Sequence, residues 1–232
     1  MASFLSGHND GPRQFRSLLA HPTTVVAPGA FDALSARLIE AAGFPVVYMT
    51  GFGVAASLLG RPDVGLTTMS EMVDSARRIV QAVSIPVIAD ADTGYGNARN
   101  LIRTIREYEA AGVAAIQIED QVFPKRCGHM NGKQVVPIEE MAGKIAAAVA
   151  ARRSPDMAII ARTDARAVEG MESAVSRARR YYQEGADMLF VEAPQSLQEI
   201  EEVAMRLSDV PLLFNWAEGG KTPPVSLEVL QT

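Results

Sequence analysis

Short apolar runs rich in Val, Ile and Ala recur along the chain, each closed by a polar or glycine-bearing turn and followed by apolar residues spaced three and four apart. The runs are TVVAPG, PVVYMTG, IPVIADAD, AAIQIED, MAIIARTD, DMLFVEAP and VPLLFNW. Their unbroken apolar character suits strands buried on both faces. Between them lie FDALSARLIEAAGF, TMSEMVDSARRIVQAV, ARNLIRTIREYEAAGV, IEEMAGKIAAAVAARR, MESAVSRARRYYQEGAD and SLQEIEEVAMRLSD, which read as amphipathic outer helices. Strand and helix in alternation predict parallel strands joined by crossover helices. Gly43, Gly112 and Gly185 fall where three of these helices should stop, as left-handed caps. The leading segment GPRQFRSLLAHP has a helical pattern and no strand signal, so a helix near the bottom of the sheet is expected there.

The polar residues Asp90, Asp92, Glu119, Arg162, Asp164, Glu192 and Asn215 all follow the apolar part of their runs. They therefore gather at the carboxyl ends of the strands, the edge where (β/α)8 barrels and open α/β sheets both place their sites. The reading adopted is an α/β fold, a (β/α)8 TIM-type barrel, with residues 1–232 as a single barrel domain. Seven strands are readable before the chain reaches TPPVSLEVLQT, so the eighth is expected from beyond Thr232 or from elsewhere.

Composition narrows the partners. The chain has 232 residues, is 48% hydrophobic and shows no shift that would mark a second core. A net charge of -5 with scattered Lys and Arg gives no basic stripe, which argues against nucleic acid and leaves small anions as ligands. One cysteine forms no internal disulfide, and no early secretory pattern is visible, so a reducing, cytoplasmic setting is expected. No apolar stretch approaches the roughly 20 residues that span a bilayer, so no membrane role is expected.

In ADADTG, Asp90 and Asp92 stand two apart on a strand and face the same way. Adjacent carboxylates repel unless a cation joins them. Glu119 from the next strand and Asp63 from GRPDVG complete four hard oxygen donors of the kind Mg2+ accepts, with Mn2+ as a substitute, while no zinc-type His and Cys spacing competes. Taken singly, each acid would more often cap a turn or pair with an arginine; the set at one rim favours a metal. Cys127 is flanked by Lys125, Arg126 and His129, neighbours expected to lower the thiol pKa and fit it for proton transfer or attack. A free cysteine is commonly a small buried hydrophobe. The polar, glycine-rich PKRCGHMNGK argues instead for a mobile loop over the site, with Gly128 and Gly132 as hinges.

PKRCGH after IQIEDQ, with ADADTGYG upstream and ARTDA downstream, resembles the isocitrate lyase and phosphoenolpyruvate mutase superfamily. The resemblance runs from PGAFDALSARLIEAAGF through YMTGFG and VEAP to NWAEGGKTP. It implies a (β/α)8 barrel and a homo-oligomer, usually a tetramer that exchanges a C-terminal helix lying beyond Thr232. It implies Asp90 as the direct Mg2+ ligand, with Asp63, Asp92 and Glu119 acting mainly through water. Thr50, Gly51 and Phe52 would hold a substrate carboxylate, with Thr50 standing where the family usually has Ser. Arg126, Gly128, Arg162, Glu192, Asn215 and Thr222 would contact the remaining substrate oxygens. Cys127 matches the general acid of the lyases, Tyr48 a tyrosine at the reacting centre, and Lys125 and His129 accompany them.

The activity implied is Mg2+-dependent carbon-carbon cleavage of a 2-hydroxy di- or tricarboxylate of the 2-methylisocitrate or 2,3-dimethylmalate type. Oxaloacetate hydrolysis is the alternative. Phosphonate chemistry ranks lower because that branch typically lacks the Cys-Gly-His loop, and a catalytically silent scaffold ranks lower still. Asn131-Gly132 and Gly219-Gly220 lean toward the dimethylmalate and oxaloacetate branch, hence toward a smaller dicarboxylate.

Overall fold

The computed structural model describes residues 10–21 and 23–231. In chain order the elements are α1 (Gly11–Leu19), β1 (Gly29–Ala30), α2 (Ala33–Ala41), β2 (Val47–Met49), α3 (Gly51–Leu59), α4 (Met69–Ala82), β3 (Val87–Asp90), α5 (Ala98–Ala111), β4 (Ala115–Glu119), α6 (Ile138–Ala151), β5 (Ala158–Thr163), α7 (Met171–Gln183), β6 (Met188–Val191), α8 (Leu197–Arg206) and α9 (Leu227–Leu230). The six strands are parallel and neighbour one another in sequence order. An order without reversal is that of a barrel wall; a doubly wound sheet reverses at its switch point. Among the described residues no helix is long and apolar enough to cross a membrane.

Local chemistry sets the helix ends. Asp32 accepts from Ser35 N at 2.7 Å to start α2, and Thr68 and Glu71 cap each other reciprocally at the start of α4. Gly43, Gly112 and Gly185 have φ of 88°, 87° and 97°, the left-handed stops expected after α2, α5 and α7. α1 lies where expected: Arg16 donates to the carbonyls of Pro155 and Asp156 (2.9 and 3.1 Å), at the entry to β5, and Phe15 plugs the inner face of the wall.

Three expectations need correction. The first run pairs only through Gly29–Ala30, with Pro28 O accepting from Tyr48 N at 3.0 Å, because Pro28 has no N–H to give and the turn into α2 follows at once. The seventh run makes a single parallel bridge, Leu189 to Leu212, so it follows β6 in place but not in length. Helix α3 was not anticipated, because GFGVAASLL carries two glycines and no polar face for a periodicity to register.

Strand parity divides the core. Ile116, Ile118, Ile159, Ala161, Leu189 and Val191 pack outward against helix residues such as Ile105, Ile145 and Val175. Ala115, Ile88, Ile160, Met188 and Phe190 face inward with Phe15 and Tyr48. Side chains alternate at period two, so Tyr48, Asp90, Gln117, Glu119, Arg162 and Glu192 share that inner face, at its carboxyl-end rim. Register locks them in neighbouring pairs, Asp90 beside Gln117 and Glu119 beside Arg162.

Candidate active site

Asp90 ends β3, and its carboxylate accepts from Gly51 N (3.2 Å) and Asp92 N (2.9 Å). Asp92 is buried and has a positive φ of 48°, which turns the chain sharply after the strand. Lys125 comes down from the loop after β4, and its ammonium lies 2.6 Å from Asp63 and 2.7 Å from Asp92. Burial works against that charge, but Glu119, Asp92, Asp90 and Asp63 together push the Lys125 pKa well up, so it stays an ammonium. Burial raises the pKa of Glu119 and of Asp92 despite Arg162 and Lys125 nearby. The rim is thus acid-rich, with one lysine set among four carboxylates.

On the other side of the mouth, Arg162 donates to Asp164 at 2.9 and 3.1 Å and lies 3.3 Å from Glu119 and 3.7 Å from Glu192. Its guanidinium also sits 5.1 Å above the Phe190 ring, which fixes the plane in which it presents its donors. Glu119 Oε1, Glu192 Oε2, His129 Nε2 and Thr222 Oγ1 are buried without hydrogen-bond partners. Buried polar atoms are rarely left so. Glu119 and Glu192 flank Arg162, and His129 Nε2 lies 3.8 Å from Glu192, so three of the four mark one place where a polar ligand would be received.

Residues 121–136 form the loop between β4 and α6, and the loop is docked. Cys127 N donates to Asp63 O at 3.0 Å, and Lys221 N donates to His129 Nδ1 at 3.1 Å. Gly128 lies so close to the strand ends that a Cβ there would stand 1.9 Å from Glu192 Oε1 and 2.6 Å from Arg162 Nη2. Its glycine is thus required by close approach; the positive φ expected of a flexible glycine belongs to Gly132, at 77°.

The thiol needs a correction. Burial raises the Cys127 pKa, and the smaller lowering effects of the His129 backbone, Arg162 and Lys125 do not overcome it. Flanking cations in sequence proved to be neighbours in name only: Lys125 is committed to Asp63 and Asp92, and exposed Arg126 folds back on Asn131 O at 3.1 Å. Cys127 is therefore a protonated thiol at neutral pH, suited to giving a proton rather than attacking. Tyr48 is likewise held as a neutral phenol, raised by burial and by Asp90 against Arg162, and it donates to Gln117 Oε1.

Thr50, the N-cap, and Gly51 and Phe52, the first residues of α3, stand at a helix N-terminus, but Thr50 N is given to Ala30 O (3.0 Å) and Gly51 N to Asp90 (3.2 Å). The Thr50 hydroxyl caps that helix, accepting from Gly53 N at 3.2 Å, and Phe52 is largely exposed. Asn215 is half-buried beyond the Leu212 bridge, and Thr222 is buried on the segment that receives His129. Arg126 is the one expected residue whose charged group stands apart from the rest.

Among the described residues no three acidic, histidine or cysteine side chains form a complete metal cage. Mg2+ does not ask for one, since it keeps several waters and takes one or two carboxylates directly. The hard oxygens of Asp90 and Asp92, the unpartnered Glu119 Oε1 and the excess of acids over Lys125 fit that kind of ion.

Sequence reading missed three supporting residues, Gln117, Lys133 and Asp120, and the part played by a fourth, Asp164. Gln117 joins Tyr48 to Asp90, donating to Asp90 Oδ1 at 3.4 Å. Lys133 and Asp164 pair at 2.7 Å beneath the loop, and Asp120 accepts from Thr163, Asp164 N and Tyr181 at 2.7, 2.9 and 2.8 Å. Strand parity pointed to Gln117, two before Glu119. The position of Asp164 after an apolar run places it at the rim, though its partners stay hidden; nothing in the local sequence pointed to Lys133 or Asp120.

The profile described as phosphoenolpyruvate phosphomutase matches residues 15–231. The 2,3-dimethylmalate lyase of Eubacterium barkeri is 54% identical over 210 residues, 90% of this chain and 72% of that one. The 2-methylisocitrate lyase of Aeropyrum pernix is 50% identical over 213 residues, covering 92% and 68%. Among solved structures, a 2,3-dimethylmalate lyase aligns with TM-score 0.92 at 43% identity over 95% of this chain and 75% of that one. An oxaloacetate acetylhydrolase bound to 3,3-difluorooxalacetate gives 0.92 at 39% identity over 95% and 76%. A phosphonopyruvate hydrolase in complex with oxalate and Mg++ gives 0.80 at 38% identity over 87% and 70%.

Proposed function

The chain belongs to the phosphoenolpyruvate phosphomutase family, and from that premise we propose that it is a carbon-carbon lyase acting on a small 2-hydroxy dicarboxylate or tricarboxylate of the 2,3-dimethylmalate or 2-methylisocitrate type. The observation that carries the reading is Cys127, kept protonated by burial on a loop whose next residue touches Glu192 and Arg162. Cleavage of such a substrate gives a 2-keto acid and a carboxylate carbanion, which must take up a proton before it recombines. A thiol that is already protonated, and placed beside the residues that would hold the carboxylates, meets that need. Arg162 offers a fixed guanidinium to one carboxylate, and the N-terminus of α3, with its dipole and the Thr50 hydroxyl, faces another. Tyr48, a neutral phenol whose proton is given to Gln117 Oε1, stands at the reacting centre as a positioning group, not as the base.

Mg2+, or Mn2+ in its stead, held by Asp90 directly and by Asp63, Asp92 and Glu119 through water, would supply Lewis-acid polarisation of the substrate hydroxyl and of the carbonyl it becomes. The protein's part is to orient the two carboxylates and to exclude water under the docked loop.

Oxaloacetate hydrolysis to oxalate and acetate is the second reading, favoured by the likeness to the acetylhydrolase structure and by the Asn131-Gly132 pair. The deciding assay offers the purified protein 2,3-dimethylmalate, 2-methylisocitrate and oxaloacetate with Mg2+, following keto acid from the first two and oxalate from the third. Turnover of a hydroxy acid supports the lyase, and turnover of oxaloacetate alone moves the enzyme to the hydrolases. Replacing Cys127 with Ser should lower kcat by about a hundredfold or more, the usual share of a general acid, while the fold is kept. Full activity in Cys127→Ser would end the general-acid role. A cytoplasmic homo-oligomer, a tetramer, completes the proposal, and light scattering on the eluting protein tests its mass.

A further inference from the structure

Lys133 is buried and is not used by the chemistry proposed above. Its side chain is 1% exposed, its ammonium lies 2.7 Å from Asp164, and it donates to Gly128 O at 2.5 Å. Asp164, fully buried, accepts from Arg162 on both oxygens and from Lys133 on Oδ1, which the two cations share. Its backbone N–H is anchored on Asp120, which Thr163, Tyr181 and Arg177 fix in turn. A buried lysine is costly to hold unless its charge and protons are matched. Here the matching groups are of an unusual kind: one is the carbonyl of the residue after Cys127, and the other is the carboxylate that orients Arg162.

That juxtaposition has a mechanical consequence. Gly128 and Lys133 both belong to the loop, so when the loop lifts Lys133 leaves with it and Asp164 loses one of its two cations. Arg162 is then drawn toward Asp164 alone and away from Glu119 and Glu192, which lie at the longer distances of 3.3 and 3.7 Å. Loop docking and Arg162 presentation share one acceptor. We infer that Lys133 is a positioning residue: it holds Cys127 in its working place through the Gly128 carbonyl and, through Asp164, makes loop closure and the orientation of Arg162 a single event. Only the kinetic consequence of this inference rests on the lyase reading; the docking itself does not.

Cys127 is the only cysteine of the chain, so its alkylation reports loop position directly. The experiment measures the iodoacetamide rate by intact mass across a pH series for the full chain, for Lys133→Met and for Lys133→Met/Asp164→Asn, each checked for folding by circular dichroism. The expected result is a rise of about tenfold or more in both variants, by the same factor at every pH, as local opening of the loop predicts. A rate within about twofold of the parent in a folded variant would overturn the inference, since tenfold needs only about 1.4 kcal/mol of lost docking. So would a rise that merely displaces the pH profile, since that reports thiol ionisation and not access. If Lys133→Met does not fold, the double variant carries the test alone, because it removes the buried charge and its partner together. Where the parent turns over a substrate, kcat should fall about tenfold or more in Lys133→Met with KM far less affected, the split expected of a misplaced proton donor. A parent inactive on every substrate would sink the lyase reading and leave the alkylation result standing.

Discussion

At the residue scale, the thiol shows how sequence and space part company. Two cations and a histidine beside Cys127 in the chain suggest an ionised thiol, yet the loop's fold sends Lys125 inward to Asp63 and Asp92 and Arg126 outward to Asn131. What remains around the sulfur is mostly burial, which favours the neutral form. Gly128 carries the complementary lesson. Its neighbours Glu192 and Arg162 are distant in sequence, so only the structure shows that a methyl group there would overlap Glu192 Oε1. Gly128→Ala is expected to lift the loop by the order of 1 Å and to lower kcat/KM by about a hundredfold, the usual cost of such a misplacement. The thermal midpoint should move little, because the loop shifts while the core does not. Activity within a few-fold of the parent would show that the docked position is not the working one.

At the element scale, the alternation of runs and helices was legible because each helix has a clean apolar stripe and each strand an apolar core. Parity in the sequence speaks only for Asp90 and Asp92, and there it needs correction: β3 ends at Asp90, so a turn with positive φ, not the pleat, places Asp92. The short edges were not legible, since VPLLFNW looks like a full strand but forms one bridge. The tie between elements was hidden as well: Asp120 from the end of β4, Thr163 and Asp164 from the end of β5 and Tyr181 from α7 meet only after the crossovers are made. That junction yields a pH prediction. Burial alone would raise Asp164, but Arg162 and Lys133 hold its pKa down at about 2. An unfolded aspartate titrates near about 3.9, so the unfolded chain binds more protons through this window and stability falls as pH falls. The Asp164 contribution is whole above the unfolded value and is lost as pH drops through about 2. Asp120, raised by burial, acts in the opposite sense, so the comparison must be with a variant. Thermal melts between about pH 5 and about pH 2 should therefore show a steeper loss for the parent than for Asp164→Asn. Parallel curves would mean that Asp164 carries no such depressed pKa.

At the scale of the whole molecule, the barrel wall was legible down to the rim that bears the chemistry, because a sequential parallel sheet leaves polar residues only one common end. The balance of charge at that rim was legible only in part. Counting acids along the chain finds Asp63, Asp90, Asp92 and Glu119, but it does not show that Lys125 is driven in among them and offsets a share of their charge. Lys125 and Arg162, the latter 3.3 Å from Glu119 but bonded first to Asp164, cannot between them neutralise all of these acids, and Glu119 Oε1 is left buried without a hydrogen-bond partner. A divalent cation that binds the folded rim and not the unfolded chain must then stabilise the whole barrel, by about 2.7 kcal/mol at a hundredfold excess over its Kd. For a chain of this size that is a rise of roughly 5–10 °C in Tm. Ionic strength alone screens repulsion among the same acids, so the comparison is Mg2+ against NaCl at matched ionic strength. The expected outcome is a Mg2+-dependent rise that EDTA reverses, NaCl does not reproduce and Asp90→Asn abolishes. Asp90 is the discriminating site because its carboxylate is held by Gly51 N and Asp92 N rather than by Lys125. An equal rise in Asp90→Asn would place the ion elsewhere on the molecule, and an equal rise with NaCl would reduce the effect to screening.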